Sequence, residues 1–443
     1  MKDLTKGKPS VLILTFALPI FLANLLQLTY SIVDTRIVGT FLGENMLAAV
    51  GATTTLSNLI IGFLLGLSNG FAIVTAQKFG AKDIRAVKKS FATAIILGVS
   101  TALVLTVAGL VFLHPILKFL NIPDELFKES ASYISVIIAG LLATFLYDIC
   151  AAVLRAIGDT ITPLIILAIS VALNVAGDIF FVVIVKAGVR GAAVATVLAQ
   201  LIAFIVCAFY MVKKYDILRL SRTDFKGMES AMVKNMLGGG LSMGFMSSLV
   251  NIGSLTLQTA INKLGQDIIV AHTAARKISE IFMVMFTVFG QTMATYCGQN
   301  IGAGKDDRGK KGIRLSILYT CIWCTLVIIA SYTIGGWLVY LVTGSSNDAV
   351  IVNATNYLKF DTIFYYVTAV ICIVRNAMQG LGEHITPLIS SSLEMIGKII
   401  IAATLVPVMG YTGVIIAEPL VWFIMVIPLI VKIYRMPVLK ESR

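Results

Sequence analysis

Long apolar runs, each able to cross a membrane, constrain this sequence more than any other feature. A helix needs about 20 apolar residues to span the roughly 30 Å hydrocarbon core of a bilayer. Lipid offers the backbone no hydrogen bonds, so such runs must form helices. We predict an all-α integral membrane protein with twelve transmembrane helices, at about residues 10–35, 46–76, 90–113, 130–154, 160–185, 190–212, 235–262, 266–297, 314–334, 350–375, 384–407 and 411–431.

The composition supports this class of protein. Apolar residues make up 58% of the 443 residues and charged residues only 13%, whereas soluble globular proteins carry roughly 25% charged residues. In a soluble chain the net charge of +12 would suit nucleic-acid binding, but here most Lys and Arg fall at the termini and in alternate loops. We therefore expect a multi-pass protein of the plasma (cytoplasmic) membrane, with both termini cytoplasmic and no nucleic-acid partner.

The two halves of the sequence are copies of one another. Ile161–Ile165 and Ile385–Ile389 are identical and lie 224 residues apart, and other blocks recur at 222 or 224. A near-constant offset indicates repeated units. We predict an N-terminal six-helix bundle at 1–212, a basic cytoplasmic linker at 213–234, and a C-terminal six-helix bundle with a short cytoplasmic tail at 235–443. Because each repeat has an even number of spans, we expect a pseudo-two-fold axis along the membrane normal, an arrangement found in secondary transporters.

Acidic residues inside the spans are the candidate functional residues, since burying a charge in a membrane is costly. Glu280 lies four residues after Arg276, and Glu394 lies four before Lys398, so we expect a local ion pair in each case. Asp148 has no evident partner. The full set of acids within the spans is Asp34, Asp148, Asp178, Glu280, Asp361, Glu394 and Glu418.

A group of oxygen-bearing side chains in the first repeat is predicted to couple transport to a cation. Asn174 and Asp178 are four residues apart on one helix face, and Thr196 and Asp178 lie at equal distances from the turn near Ala187. Asp34 falls at a similar depth. Two nearby carboxylates in a medium of low dielectric constant favour uptake of a proton or a cation, and oxygen ligands suit H⁺ or Na⁺.

The second repeat does not preserve this group. Its equivalent residues are Thr256, Lys398, Ala402 and Glu418. We therefore expect the cation-coupling site in the first repeat alone, with no other metal and no cofactor.

Two other motifs are interpreted as structural. Cys321-x-x-Cys324 lies within an apolar run without further ligands, so we expect no metal there. The segment Gly304–Lys310 has the spacing of a phosphate-binding loop, but Lys311 stands where Ser or Thr is required. We expect no ATP site, an ion gradient as the energy source, and no enzymatic activity.

Taken in order, several motifs make the chain resemble the multidrug and toxic compound extrusion (MATE) family, and its DinF-like branch in particular. The resemblance implies antiport of cationic or amphipathic organic compounds against H⁺ or Na⁺ by alternating access. It also implies cation or proton coupling at Asp34, Asn174, Asp178 and Thr196, and bending of the first helix at Pro19. The motifs are Ala17-Leu-Pro19, Val33-Asp34, Gln77-x-x-Gly80-Ala81, Gly158-Asp159-x-x-x-Pro163, Asn174-x-x-x-Asp178, Gly188-x-x-Gly191-Ala192-Ala193-x-Ala195-Thr196 and Gly410-Tyr-x-Gly413.

The substrate region departs from one branch of that family. NorM-like members carry acids on the seventh and tenth helices, but here the seventh has none and the tenth has Asp361. Methionine adapts its shape to varied ligands, so the candidate cavity residues are Met243, Met246, Met283, Met285 and Asp361.

We expect small organic molecules and the lipid bilayer as partners, and a monomer. The alternatives are a lipid-linked oligosaccharide flippase of the same superfamily and a membrane transferase, although no acidic metal motif supports the transferase.

Overall fold

A computed structural model describes residues 2–120, 122–344 and 347–436, and within these ranges the regular structure is entirely helical. The all-α prediction is therefore confirmed for the described residues. Of the predicted C-terminal tail, residues 437–443 lie outside them. The first eight α-helices are α1 (Pro9–Leu42), α2 (Glu44–Gly80), α3 (Ile84–Val111), α4 (Leu113–Phe119), α5 (Asp124–Ala139), α6 (Leu141–Ala156), α7 (Ile161–Asp178) and α8 (Gly188–Lys214).

The second set of eight follows a loop that contains a short 3₁₀ turn, Asp216–Leu218. A π-helical segment, Ile179–Ile184, extends α7 directly after Asp178. The helices of the second set are α9 (Ser230–Ile261), α10 (Gln266–Gly302), α11 (Asp306–Thr333), α12 (Gly335–Thr343), α13 (Asp348–Ile363), α14 (Tyr365–Gly380), α15 (Ile385–Met409) and α16 (Tyr411–Arg435).

Each predicted span corresponds to one long helix or to one bent pair. Ten helices of the described chain are long and apolar enough to cross a membrane. Two further spans are bent pairs, α5 with α6 at 46° and α13 with α14 at 54°. Counting each pair as one span gives the predicted twelve. The breaks fall at Gly140 and Phe364, 224 residues apart, so the bend itself is part of the duplicated pattern.

The chain forms two compact units, and two of the boundaries between them lie inside helices, α1 and α9. The N-terminal unit contains Lys2, Asp3 and Leu18–Gly244, and its core includes Phe71, Phe91 and Phe145. The C-terminal unit contains Leu4–Ala17 and the described part of Phe245–Arg443, and its core includes Tyr357, Tyr365 and Trp422. The boundary within α1 falls one residue before the buried Pro19.

The duplication is also visible in the turns. Gly158 and Gly382 have φ values of 86° and 88°, which glycine adopts without a steric penalty. Next to them, Asp159 accepts a hydrogen bond from the Thr162 backbone N–H at 3.0 Å, and Glu383 accepts the same bond from Thr386 at 3.1 Å. Both carboxylates thus satisfy a free N–H in the first turn of a helix, α7 or α15.

The N-terminal segment is fixed within the C-terminal unit by the end of α10 and the start of α11. Leu4 is fully buried, and its N–H donates to Gln299 Oε1 at 3.0 Å. Arg308 donates to the carbonyl oxygens of Leu4 at 3.2 Å and Gly7 at 3.0 Å. Lys305 donates to the Thr5 carbonyl at 2.9 Å. The segment that resembles a phosphate-binding loop therefore binds backbone carbonyl groups.

Candidate functional site

Three helices of the N-terminal unit position the oxygen-bearing side chains predicted from the sequence. Asp34 lies on α1, Asn174 and Asp178 lie on α7, and Thr196 lies on α8. Asn174 and Asp178 are both buried, with 3% and 0% of their surface exposed. The spacing of four residues puts them on one face of α7, and the hairpin of α7 and α8 brings Thr196 to the same depth.

Asn174 is the centre of the hydrogen-bond network. Its side-chain amide is 3.1 Å from Thr196 Oγ1. In the amide orientation that satisfies both ends, the nitrogen donates to Asp178 Oδ2 at 3.0 Å and to the Tyr30 hydroxyl at 3.1 Å, while the oxygen accepts from Thr196. Thr196 Oγ1 also lies 3.1 Å from the Ala192 carbonyl oxygen. These contacts hold α1, α7 and α8 in one polar cluster.

Asp34 and Asp178 form a carboxyl pair. The two side chains lie close enough to interact electrostatically, and Asp178 Oδ1 is buried without a donor among the described residues. Neither aspartate takes part in an ion pair with a described residue. A hydrogen bond between them would need a proton on one of the two, because carboxylate oxygens are acceptors only. The structure thus brings together all four residues predicted as the coupling site, whose role remains a prediction.

Two tyrosines of this cluster were not predicted from the sequence. Tyr30 lies one helical turn before Asp34 on α1, and this spacing of four residues is a signal that the sequence contained. Tyr133, on α5, lies close enough to Asp34 and Asp178 to interact with them electrostatically. No sequence pattern links Tyr133 to the site, because the contact depends on how α5 packs.

The chemistry of the cluster suits a proton or a hard monovalent cation. Its ligands are carboxyl, amide and hydroxyl oxygens, which Na⁺ accepts and which transition metals use less readily than His or Cys. Among the described residues, no group of three or more His, Cys, Asp or Glu is placed to hold a metal ion. The π-helical segment begins directly after Asp178, and such segments are frequent at functional sites.

The second repeat places charges at two of the four equivalent positions, Lys398 and Glu418, and further charged side chains surround them. Arg276 contacts both carboxylate oxygens of Glu418, at 3.0 and 2.9 Å. Lys398 donates to Glu394 at 2.9 Å and lies 3.4 Å from Glu418. Tyr357 donates to Glu418 at 3.1 Å. The carboxylates of this buried cluster are therefore neutralised by side chains of the protein itself.

One of the two predicted local ion pairs is wrong. Glu394 and Lys398 do pair, but Arg276 pairs with Glu418, 142 residues away, and not with Glu280. Glu280 lies 3.8 Å from Lys277 on the more exposed side of α10. The spacing allowed the contact with Arg276, but a buried carboxylate on α16 offers a bidentate partner in a less hydrated place.

Of the candidate cavity residues, one lines a cavity that the described chain encloses. Met283 lines a cavity of the C-terminal unit, whereas Met285 and Asp361 do not appear among the residues that line it. Asp361 is fully buried on α13. Met246 Sδ is 3.3 Å from Gln379 Nε2 in the C-terminal unit, and Met243 belongs to the N-terminal unit. Their role in substrate binding remains a prediction.

The sequence matches the MatE family in two segments, residues 19–180 and 243–404. The second segment begins and ends 224 residues after the first, as the duplication requires. The chain belongs to the MatE family. Its members are multi-pass membrane transporters of drugs and other organic compounds, and they are not enzymes.

Curated relatives of this MATE-family chain include multidrug proteins of bacteria. The probable multidrug resistance protein YpnP of Bacillus subtilis is 27% identical over 87% of this chain and 86% of its own length. The multidrug export protein MepA of Staphylococcus aureus strain N315 is 24% identical over 90% of this chain and 88% of its own length.

Solved MATE structures share the fold. A MATE protein crystallised in the bent conformation superposes with a TM-score of 0.91 at 20% identity, covering 99% of this chain and 98% of the other. An outward-facing multidrug resistance MATE transporter of the MOP superfamily gives a TM-score of 0.90 at 20% identity, with coverage of 99% and 98%. The assignment to the DinF-like branch remains a prediction.

Proposed function

We propose that this MATE-family chain exports cationic or amphipathic organic compounds from the cell, in antiport with H⁺ or Na⁺ and by alternating access. The observation that carries the proposal is the proximity of Asp34 and Asp178 in the N-terminal unit. Asn174, Thr196 and Tyr30 complete the polar cluster around it. We further propose that the protein works as a monomer in the plasma membrane, without a cofactor.

The carboxyl pair supplies the coupling because its charge depends on its occupant. Two adjacent carboxylates in a poorly hydrated place repel each other, and binding one proton or one Na⁺ relieves this repulsion. The loaded and empty states then differ by one unit charge. Moving that charge through a membrane potential of 100 mV is worth about 2.3 kcal/mol. Asp34 lies on α1 beyond Pro19, whose ring removes one helical hydrogen bond, so we propose α1 as the helix that responds.

The test is efflux of ethidium, a fluorescent organic cation, from cells that express the protein. The pH gradient and the Na⁺ gradient are collapsed separately, which identifies the coupling ion. We expect Asp34→Asn and Asp178→Asn each to abolish efflux at unchanged expression. Glu280→Gln is the matched control, since Glu280 is also an acid within a span but pairs with Lys277 outside the cluster, and its efflux should persist.

Two results would contradict the proposal. Efflux at the wild-type rate by both aspartate variants would remove the carboxyl pair from the mechanism. Efflux that continues with both gradients collapsed would remove antiport itself.

A further inference from the structure

A cavity of about 240 Å³ inside the C-terminal unit is separate from the carboxyl pair. Its walls combine apolar groups, including Phe286 and Trp422, with charged side chains from several helices. A cavity of about 150 Å³ is enough to hold a benzene molecule. This cavity therefore has room for a single aromatic ring with a small polar substituent.

The charges that line the cavity do not balance. Arg276 and Lys398 are matched by Glu418 and Glu394 in the buried ion-pair cluster. The third cation, Arg375, forms no ion pair with a described residue, and its NH1 group donates to the Ser391 hydroxyl at 3.0 Å. Arg375 is half-buried, and a guanidinium group that is partly shielded from water favours a carboxylate partner, which it can bind through two hydrogen bonds. The protein supplies none here.

Two buried polar atoms on the same wall also lack partners. Arg375 Nε and Thr368 Oγ1 are both shielded from solvent and make no hydrogen bond within the described chain. They lie seven residues apart on α14, two helical turns, and therefore on one face. Both residues line the cavity. Buried polar groups in native proteins are nearly always satisfied, so two unsatisfied donors on one wall indicate an acceptor that arrives from outside.

We infer that this cavity binds the carboxylate end of an aromatic substrate, with Arg375 and Thr368 as donors and Phe286 and Trp422 beside the ring. The inference rests on the proposed export function and makes its substrate class more specific, because it identifies amphipathic compounds that carry an aryl carboxylate as substrates. The carboxylates of Glu394 and Glu418 do not oppose this ligand, since Lys398 and Arg276 already neutralise them.

Equilibrium binding tests the inference without any transport step. Isothermal titration of the purified protein in phosphatidylcholine nanodiscs compares 4-bromobenzoate with 4-bromobenzamide, which has nearly the same shape and no charge. We expect the acid to bind at least tenfold more tightly than the amide. No measurable binding of the acid at millimolar concentration, or equal affinity for the two compounds, would overturn the inference.

Variants then assign the donors. Arg375→Gln keeps a donor for Ser391 but removes the charge, so we expect it to weaken binding of the acid at least tenfold and to leave the amide unchanged. Arg375→Lys should retain part of the preference for the acid, and Thr368→Val should weaken binding of the acid severalfold. Lys277→Met is the matched control, since it removes an exposed cation of the same unit outside the cavity. Unchanged affinity for the acid in both Arg375→Gln and Thr368→Val would overturn the inference.

A second lipid tests whether the cavity binds a substrate carboxylate or the phosphate group of a lipid. Loss of 4-bromobenzoate binding when phosphatidylglycerol replaces phosphatidylcholine would assign the cavity to a lipid phosphate and overturn the substrate assignment. Retained binding supports it. Failure of this inference is distinct from failure of antiport, because Asp34→Asn and Asp178→Asn should still bind the acid even though they do not transport.

Discussion

At position 174 the first repeat carries an amide, and at the equivalent position 398 the second repeat carries an ammonium group. Asn174 donates to Asp178 in a cluster whose carboxyl groups have no cationic partner among the described residues. Lys398 contacts Glu394 and lies near Glu418. The residue at this one position thus distinguishes a cluster that has no cationic partner among the described residues from one that contains a permanent cation.

Thr196 offers a conservative test of the cluster. Its hydroxyl hydrogen-bonds with the Asn174 amide, and this bond orients the amide toward Asp178. We predict that Thr196→Val reduces ethidium efflux by about tenfold, equivalent to roughly 1.4 kcal/mol, and that Thr196→Ser retains most of it. Equal efflux by the two variants would show that the hydroxyl group is dispensable.

Lys398 is predicted to matter for stability. Removing one partner of a buried ion pair leaves an uncompensated charge and costs about 3–5 kcal/mol. Lys398 is 2% exposed, so we expect Lys398→Met to lower the melting temperature of the purified protein by several degrees. Lys277→Met should leave it unchanged, because Lys277 is exposed and surface ion pairs contribute little.

Adding Glu394→Gln to Lys398→Met should restore part of the lost stability, because it removes the carboxylate that has lost its nearest cation. A double variant as unstable as the sum of the two single variants would contradict the ion-pair explanation.

At the scale of elements, the turns before α7 and α15 link stability to pH. Burial raises the pKa of Asp159, but hydrogen bonds from Thr162 and Tyr215 outweigh it and lower the pKa below its ordinary value. A carboxyl group with a lowered pKa stabilises the fold above its unfolded pKa, about 3.9. That contribution is lost as the pH falls through the folded pKa.

We therefore predict that Asp159→Asn lowers the melting temperature at pH 7 and that its difference from the wild type shrinks below about pH 4. Tyr215→Phe removes one of the donors to Asp159 and should show a smaller difference with the same trend. Thermal unfolding followed from pH 7 to pH 3 measures both. A difference that is constant with pH would assign the effect to packing alone.

Hydropathy and charge predicted the spans, but they did not predict how some spans bend. The breaks at Gly140 and Phe364 lie inside continuous apolar runs. An apolar run indicates only that a segment lies in lipid or in the core, and it does not show where the helix bends. A side chain at Gly140 would collide with Val197, since an added Cβ would lie 2.3 Å from it. The break thus depends on a tertiary contact with α8, which residue spacing does not contain.

The candidate site was predictable to the extent that it follows local spacing. Asn174 with Asp178 and Glu394 with Lys398 are four residues apart, and a helix places such residues together. Arg276 with Glu418 joins two helices 142 residues apart, and no local pattern distinguishes Glu418 from the nearer Glu280. Arg375 was not singled out from the sequence for the same reason. What distinguishes it is that no carboxylate of the described chain pairs with its guanidinium group, and residue spacing does not show this.

At the scale of the whole molecule, two boundaries of the compact units lie within helices, α1 and α9, and the central basic loop contains none. Residues 213–234, predicted as the linker, lie inside the N-terminal unit. The early segment Leu4–Ala17 belongs to the C-terminal unit. Cutting the sequence at its midpoint would therefore separate residues that pack together.

The orientation in the membrane is a prediction of the charge pattern. We expect Lys226→Cys, in the central basic loop, to react with a membrane-impermeant maleimide only after the cells are opened. Ala187→Cys, in the exposed turn before α8, should react in intact cells. Four native cysteines, Cys150, Cys207, Cys297 and Cys324, are buried and should give little background, and the partly exposed Cys321 and Cys372 are replaced by Ser in both variants. Labelling in the opposite sense would reverse the predicted topology.

The docking of the N-terminal segment also has a consequence for how the chain is made. Leu4 leaves the ribosome well before Gln299, Asn300 and Arg308, which bind its backbone and are synthesised about 300 residues later. At about 5–20 residues per second, this delay is on the order of 15–60 seconds. During that time the residues that bind the segment have not yet been made. Its docking can therefore occur only after most of the helices have been inserted, and it requires that this part of the second repeat is already in place.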